Sequence, residues 1–580
     1  MSKSIQFNRL FPFLAWPRPT LALLQGELTA GVTVGLMMIP QCVAYAAVAG
    51  MPLVTGIYAA LLPALVATLW SASSRLSVGP TALTALMVGS GLAGLALPGS
   101  AEWVNLAVWL ALLVGALQMA LGFVRFGWLL NVISAPVLMG FTQAAALLIL
   151  TSQLPALLGF KGNFGELWSQ TWSYASALGQ TALPVLHFGS ALFGLLSLVF
   201  LLMAKRFVPR LPAVVLLMIV AALISYLLGF EADGGLVVGL LPAGLPSFYV
   251  PTLLSLEAYG QLLLPVLVIT LVSFIETASS AKVESQQGGQ LWNQNQDLIG
   301  QGLAKIASGL SGSFPTSSSF SRSALNLYAG AKTGWANVAG VLVVLLTLLF
   351  LTPMLRHVPQ SVLAAVVVAA IYTLIVPSRF VHLWHVSKME TISALATFVT
   401  TALSAPRLYW GIITGMLMGL GHFLYLRLHP RIIEVGLHAD GSLRDRHLWH
   451  LPPLAPQLYA LRMDAELDFA SASEFERAIM QQLVKQPDMK HICLFAQPIN
   501  RVDATGLETF GQVRRMLFDR GITLHISGIK LPVERILIGA GELPQKPGDW
   551  PLLRLYRTDA EALAAFKTYN EVQMDGSAFI

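Results

Sequence analysis

Fourteen predominantly apolar stretches, most of them close to the roughly 20 helical residues that a bilayer core of ~30 Å requires, fill the greater part of residues 28–427. They lie near residues 28–49, 52–70, 80–97, 104–122, 128–150, 184–203 and 210–229, then near 257–280, 293–308, 315–329, 334–351, 361–375, 388–405 and 407–427. Backbone in hydrocarbon has no water to bond, so stretches of this kind have to close their hydrogen bonds internally as helices. Charge marks where this regime ends. Residues 1–430 hold 18 basic and 10 acidic residues, whereas the much shorter stretch 431–580 holds 17 and 19. The expected fold class is a mostly α membrane protein of 14 transmembrane spans followed by a small soluble α/β domain. The boundaries this implies are 1–27 for a cytoplasmic N-terminal segment, 28–430 for the membrane domain, 431–452 for a linker, 453–570 for the soluble domain and 571–580 for a tail.

An even number of spans puts both termini on one side. Of the basic residues before 431, 13 then fall on that side, among them Arg75, Arg125, Lys205, Arg206, Lys282, Lys332, Arg379, Lys388 and Arg427, against Lys161, Arg356 and Arg407 opposite. By the positive-inside rule both termini are cytoplasmic, and the inner membrane of a cell is the expected location. The net charge of +6 therefore reflects loop sidedness, and no nucleic-acid partner is expected. Cys42 and Cys493 are too far apart in sequence to suggest a disulfide framework or a metal cluster. No Gly-x-x-x-x-Gly-Lys loop is present, which disfavours a primary pump, and His382 and His385 read as solvated loop residues without a nucleophile or ligand spacing. Neither enzyme activity, nor a cofactor, nor a metal is expected. Lys3, Arg9, Pro12, Pro17 and Pro19 interrupt the N-terminal apolar runs, unlike a cleavable signal peptide.

Two spans are short, and each begins at a proline behind small or polar residues: Ser77-Val78-Gly79-Pro80-Thr81 and Ser311-Gly312-Ser313-Phe314-Pro315-Thr316. They occupy the third position in each set of seven spans, and because seven is odd the two sets must be inverted relative to each other. An inverted repeat with paired broken helices points to a transport site near the midplane. Helix N-termini facing one another there form an anion site. Arg322, placed about two turns into the second half-helix, is costly in a membrane and so is a candidate to hold an anion, unless it pairs permanently with a carboxylate. Glu276 is the deeply placed acidic residue; with Ser280 it is the candidate for a coupling proton or sodium ion, the alternative being that it neutralises Arg322 or Lys305. Lys305 is expected to snorkel in a structural role. Gln41 and Tyr45 share a helix face beside Pro40 and could present an amide and an aromatic edge together, although such a pair is more often helix packing.

Three motifs, Ile39-Pro40-Gln41-Cys42-Val43-Ala44-Tyr45-Ala46, Pro52-Leu53-Val54-Thr55-Gly56-Ile57-Tyr58 and Ser73-Ser74-Arg75-Leu76-Ser77-Val78-Gly79-Pro80, together with Phe314-Pro315 and Phe320-Ser321-Arg322-Ser323-Ala324, resemble the signature of the sulfate permease (SulP) anion transporters. The resemblance runs over roughly residues 10–565. It implies a core and a gate built from seven plus seven inverted spans, with the core moving the site past a dimerising gate. By position it implies substrate-binding roles for Gln41, Tyr45, Thr81, Ala82, Phe320, Ser321 and Arg322, and an ion-coupling role for Glu276. Lys305 stands where the family commonly has an uncharged residue.

The tail alternates strand-like and helix-like segments: 458–467, 471–484, 491–496, 505–520, 522–527 and 533–540. Asp503-Ala504-Thr505-Gly506-Leu507 lies between a strand and a helix and resembles the Asp-Ser-x-Gly-like turn of the STAS domain, but Ala504 stands where anti-sigma antagonists have a phosphorylated Ser. The turn is read first as a helix cap. The expected function is secondary transport of a small anion (sulfate, bicarbonate or a dicarboxylate), coupled to protons or sodium, in a homodimer with a possible cytosolic partner for the STAS domain. A nucleobase permease of the same fold, or a membrane scaffold or receptor acting through the STAS domain, are the rival readings.

Overall fold

A computed structural model describes residues 11–18, 20–128, 133–159, 187–208, 213–242, 244–288, 291–405, 407–546 and 549–576. Lys3, Arg9 and Lys161, named above, lie outside the described residues, as do the last four residues, 577–580, of the expected tail. The chain divides into two compact units, Met1–Gly419 and Leu420–Ile580.

The first unit is helical. Its elements are α1 (Leu21–Val48), α2 (Leu53–Tyr58), α3 (Leu62–Trp70), β1 (Val78–Gly79), α4 (Ala82–Leu92), α5 (Ala101–Phe123), α6 (Ala135–Leu158), α7 (Phe188–Phe207) and α8 (Ala213–Leu227). The second series is α9 (Leu256–Gly288), α10 (Gln294–Leu310), β2 (Ser317–Ser318), α11 (Phe320–Tyr328), α12 (Trp335–Leu346), α13 (Thr352–Leu355), α14 (Gln360–Ile371), α15 (Ser378–Val386), α16 (Lys388–Leu403) and α17 (Tyr409–Leu428). Each of the fourteen apolar stretches contains helix. Among the described residues seven helices are long and apolar enough to cross a membrane, and Ala82–Leu92, Ala213–Leu227, Trp335–Leu351 and Gln360–Ile371 are shorter apolar ones. Helix α15 is an addition to the expected set. It buries no residue and places His382 and His385 exposed on a helix, not in a loop.

Local chemistry sets where these helices start. The Thr20 hydroxyl caps α1 by accepting from Leu23 N–H, Ser100 caps α5 by accepting from Trp103 N–H, and Glu102 adds a negative charge to the first turn of α5, where it opposes the helix dipole. Small residues then let backbones approach, as expected between membrane helices. A Cβ placed on Gly302 of α10 would lie 2.6 Å from the carbonyl oxygen of Gly115 on α5. Helix α10 is thereby held flush against its neighbour.

The second unit is an α/β layer domain. Its six-stranded sheet has the order β4-β3-β5-β6-β7-β8, formed from β3 (Ile432–Leu437), β4 (Leu443–Asp445), β5 (Leu458–Met463), β6 (His491–Phe495), β7 (Thr523–Ser527) and β8 (Leu553–Tyr556). Strands β5 to β8 are parallel, and β3 is antiparallel to both of its neighbours. Helices α18 (Ala472–Lys485), α19 (Ala504–Asp519) and α20 (Leu531–Gly539) pack Phe475, Ile479, Phe510, Val513, Val533 and Leu537 onto Leu461, Ile492, Leu494, Leu524 and Ile526 of the strands. Helix α21 (Asp559–Gly576) closes the opposite face with Ala562 and Phe566. The segment 431–452, expected as a linker, supplies β3 and β4 at the sheet edge. Val435 is fully buried there, so the soluble fold begins about twenty residues earlier than the sequence pattern implied.

Candidate functional site

The two broken segments meet. Val78 pairs with Ser318 and Gly79 with Ser317 in a two-residue antiparallel bridge, extended by Ser319 N–H donating to Ser77 O at 3.0 Å and by Ser77 N–H donating to Ser323 Oγ at 3.0 Å. Antiparallel strands run in opposite directions, so α4 and α11, each following its strand, leave the bridge oppositely with both N-termini at it. Thr81 caps α4 by accepting from Thr84 N–H, and Ser319 caps α11 by accepting from Arg322 N–H. The second half-helix therefore begins at Phe320, five residues after Pro315, because Ser317 and Ser318 are drawn into the bridge.

This moves Arg322 from the expected second turn into the first turn of α11. A cation there is disfavoured by the helix dipole, and its side chain reaches across the bridge. Arg322 is fully buried. Its Nε donates to Ser77 Oγ at 3.3 Å, its Nη1 to Gln41 Oε1 at 3.2 Å and its Nη2 to Pro80 O at 3.0 Å. All three acceptors are neutral, and among the described residues no carboxylate forms an ion pair with it. A guanidinium has five N–H groups, so two remain beyond these three bonds. Gly79 is placed so that a Cβ would meet Nη2 at 3.5 Å, which keeps the strand close against the guanidinium.

Gln41 is thus brought to Arg322. Tyr45, one turn on, is buried in the α1 layer and feels the charge of Arg322. Thr81 has a second role: its hydroxyl donates to Glu276 at 3.2–3.3 Å, and Thr84 donates to Glu276 Oε2 at 3.1 Å, so the carboxylate on α9 is tied to the start of α4. Ala82 follows as the first residue of that helix. Phe320 is 56% exposed and Ser321 is also exposed, at the first turn of α11, while Ser321 Oγ lies 3.3 Å from Ser319 Oγ. Ser280 does not donate to the Glu276 carboxylate; its hydroxyl donates to the Glu276 backbone carbonyl at 3.1 Å. Lys305 does not snorkel. It is fully buried.

Several residues that build this site escaped the sequence reading. Ser317 Oγ donates to Ser273 O on α9, and Gln301 Nε2 on α10 reaches Ser318 Oγ, so β2 is held between the two helices. Asn337 Nδ2 donates to the carbonyls of Ser74 and Leu76 at 2.7 and 2.8 Å and fixes the approach to β1. Glu27, placed before the first span by hydropathy alone, is buried, and its carboxylate accepts from the N–H groups of Lys332, Thr333 and Ala336 at the start of α12. Asp297 is likewise buried and accepts from Ser73 N–H, Ser73 Oγ and Trp292 Nε1. The available signal was an acidic residue next to an apolar stretch with few other charges. In the soluble unit, Asp503 is a cap, as read: Oδ1 accepts from Gly506 N–H at 2.8 Å and Oδ2 from Phe469 N–H at 3.0 Å. The Gly506 and Phe469 N–H groups hold its carboxyl below the usual range.

Residues 24–397 match the Sulfate permease family and residues 454–558 the STAS domain. A probable sulfate transporter of Mycobacterium tuberculosis (strain CDC 1551) is 31% identical over 546 residues, covering 94% of this chain and 95% of that protein. The probable sulfate transporter 4.2 of Arabidopsis thaliana is 32% identical over 554 residues, covering 91% and 80%. Among solved structures, the murine Solute Carrier 26 family member A9 anion transporter in its inward-facing state superposes with a TM-score of 0.85 at 20% identity, covering 98% of this chain and 95% of that one. The transmembrane domain of a cyanobacterial bicarbonate transporter gives 0.58 at 20% identity, covering 68% and 98%. Helix content, the sheet-containing tail and the extent of the sequence match agree: the chain belongs to the sulfate permease family and carries a C-terminal STAS domain.

Proposed function

We propose that this protein is a secondary transporter of a small oxyanion, sulfate first among them, working as a homodimer of 14-span protomers in the inner membrane with both termini cytoplasmic. The observation that carries this reading is the setting of Arg322. A buried guanidinium at two converging helix N-termini, bonded to neutral oxygens with N–H groups to spare, attracts an anion, and among the described residues no carboxylate satisfies it first. The relatives named as sulfate transporters support sulfate as the substrate. Gln41 and Ser77 orient the guanidinium, Phe320 and Ser321 flank the approach, and Tyr45 bounds the pocket. Elevator-like movement of the bridged segments accounts for access from both sides.

Glu276 is the coupling residue in this reading. Thr81 and Thr84 link its carboxylate to α4, whose N-terminus is part of the anion site, so a proton on Glu276 changes the charge the anion meets. Proton coupling follows more simply than sodium coupling, because the two hydroxyls are already donating to the carboxylate. Purified protein in liposomes, assayed with labelled sulfate, bicarbonate and fumarate under separate proton and sodium gradients, tests the whole reading. Arg322→Ala is expected to abolish accumulation and Glu276→Gln to remove its dependence on the proton gradient. Full uptake by Arg322→Ala overturns the assignment.

A further inference from the structure

Lys305 lies fully buried on α10, and its Nζ has no hydrogen-bond partner among the described residues. The helix face it occupies is defined by its neighbours. Gln301, one turn earlier, reaches Ser318 Oγ at 3.4 Å, and Ser308, three residues later, donates to Phe314 O at 2.6 Å. Lys305 therefore faces the segment that leads into β2 and α11, where Gln301 Oε1 and Thr316 Oγ1 are also buried without partners. Ser317, beside Ser318 on β2, turns the other way and bonds α9 at Ser273 O, three residues before Glu276. Lys305 and Glu276 thus flank β2 from opposite sides, and each feels the other's charge.

The charges around Lys305 are few. Helix α3 has no titratable side chain, α5 has only Glu102 at its far end, and on α9 the group that acts on Lys305 is Glu276. Arg322 lies beyond the bridge. With Glu276 ionised, Arg322 and Glu276 alone sum to zero, and a proton on Glu276 brings them to one positive charge, which suits a singly charged anion. Lys305 raises both totals by one.

We propose that Lys305 is a specificity-determining residue of the anion site, its ammonium, held charged by the bound anion in place of Glu276, supplying the second positive charge that matches a doubly charged oxyanion once Glu276 is protonated. This rests on the transport reading above and adds to it the charge class of the substrate. In the loaded site Arg322, Lys305, protonated Glu276 and a dianion sum to zero, so each crossing of the loaded site moves no charge and the rate of dianion-for-dianion exchange does not respond to membrane potential.

The test compares wild type with Lys305→Met and Lys305→Arg in liposomes, measuring KM for labelled sulfate and inhibition of its uptake by nitrate, together with sulfate–sulfate exchange at imposed membrane potentials. Lys305→Met is expected to raise the KM for sulfate about tenfold or more, the order expected for losing one charge at this range. Half-inhibition by nitrate is expected to change less than about threefold under the same electrostatics. Lys305→Arg keeps the preference for the dianion, and wild-type exchange is indifferent to potential. Parallel loss for sulfate and nitrate, or no change for either, makes Lys305 a packing residue and overturns the proposal while Arg322 keeps its role. Should Lys305→Met not fold, the wild-type exchange decides: acceleration or slowing by potential overturns the proposal. A wild type that moves no anion overturns this proposal and the transport reading together.

Discussion

Arg322 Nη1 donates to Gln41 Oε1 across 3.2 Å, joining α11 to α1 through a bond between residues 281 positions apart. The bond orients a cation without neutralising it, because an amide oxygen offers a partial charge where a carboxylate would offer a whole one. That distinction is testable by a near-isosteric change. Gln41→Glu places a carboxylate on the guanidinium in a buried setting, where such a pair is hard to displace. Uptake of the anion is expected to fall by more than about tenfold, since a charged hydrogen bond contributes roughly 1.5–3 kcal/mol. Thermal stability in detergent is expected to hold or rise. Uptake at wild-type levels in Gln41→Glu would show that the anion does not use Arg322.

The extent to which the sequence foretold this site has a physical reason. Apolar length and the paired prolines located the helices and their two breaks, because both are strictly local properties of the chain. Gln41, Glu276 and Arg322 stood out as polar or charged residues in an apolar background, Thr81 entered through the family resemblance, and the fold gathers them around one bridge. The start of α11 was misplaced because Ser317 and Ser318 find their backbone partners in Gly79 and Val78, more than 230 residues away, and no local propensity reports such a pairing. Lys305 was misread as snorkelling because chain position does not reveal which face of α10 meets β2. The β3–β4 hairpin was missed since its strands are short and border a charged stretch.

Glu27 offers a second prediction. Its carboxylate accepts three backbone N–H groups at the first turn of α12, two on Oε1 and one on Oε2, all at 2.9 Å. Glu27→Gln retains one acceptor oxygen but exchanges the other for an amide that donates, and it removes the charge that opposes the helix dipole. A loss of about 1–3 kcal/mol is expected from the unsatisfied N–H group and the dipole term together. A lowered melting temperature in detergent, with the anion preference among surviving molecules unchanged, is the expected outcome; a shifted preference would place Glu27 in the transport machinery.

Asp503 caps α19 and also holds Phe469 N–H, so the turn that resembles a phosphorylation site is explained by backbone geometry. Asp503→Ala is expected to destabilise the soluble unit by about 1–2 kcal/mol, the usual cost of losing such a cap. Asp503→Asn, which keeps an acceptor for one N–H, should recover most of it. Limited proteolysis of the full chain between α18 and α19 reads the difference. Equal protection of Asp503→Ala and wild type would show that the cap contributes nothing.

His525 gives the soluble unit a pH dependence whose sign follows from its surroundings. It is fully buried on β7, with Nε2 3.2 Å from His491 Nδ1 and Nδ1 3.2 Å from the Tyr556 hydroxyl. Burial above all, then the His491 ring and the Arg554 charge, pushes its pKa down to about 3. In the unfolded chain a histidine titrates near ~6.5, so between these values the unfolded state binds the extra proton and stability rises with pH. The contribution is complete above the unfolded value and is lost as pH falls from there toward the folded one, at about 1.4 kcal/mol per pH unit while His525 alone is responsible. Burial and the neighbouring Lys490 shift His491 in the same direction and add to the slope. Hydrogen exchange at the β6 and β7 amides of the full chain, compared between wild type and His525→Gln at pH 7 and pH 5, separates this effect from the intrinsic pH dependence of exchange. Wild-type protection is expected to drop more steeply than that of His525→Gln on acidification. Parallel losses in the two proteins would mean that the ring is free to take up its proton within the folded domain, and that the strands around it yield without unfolding.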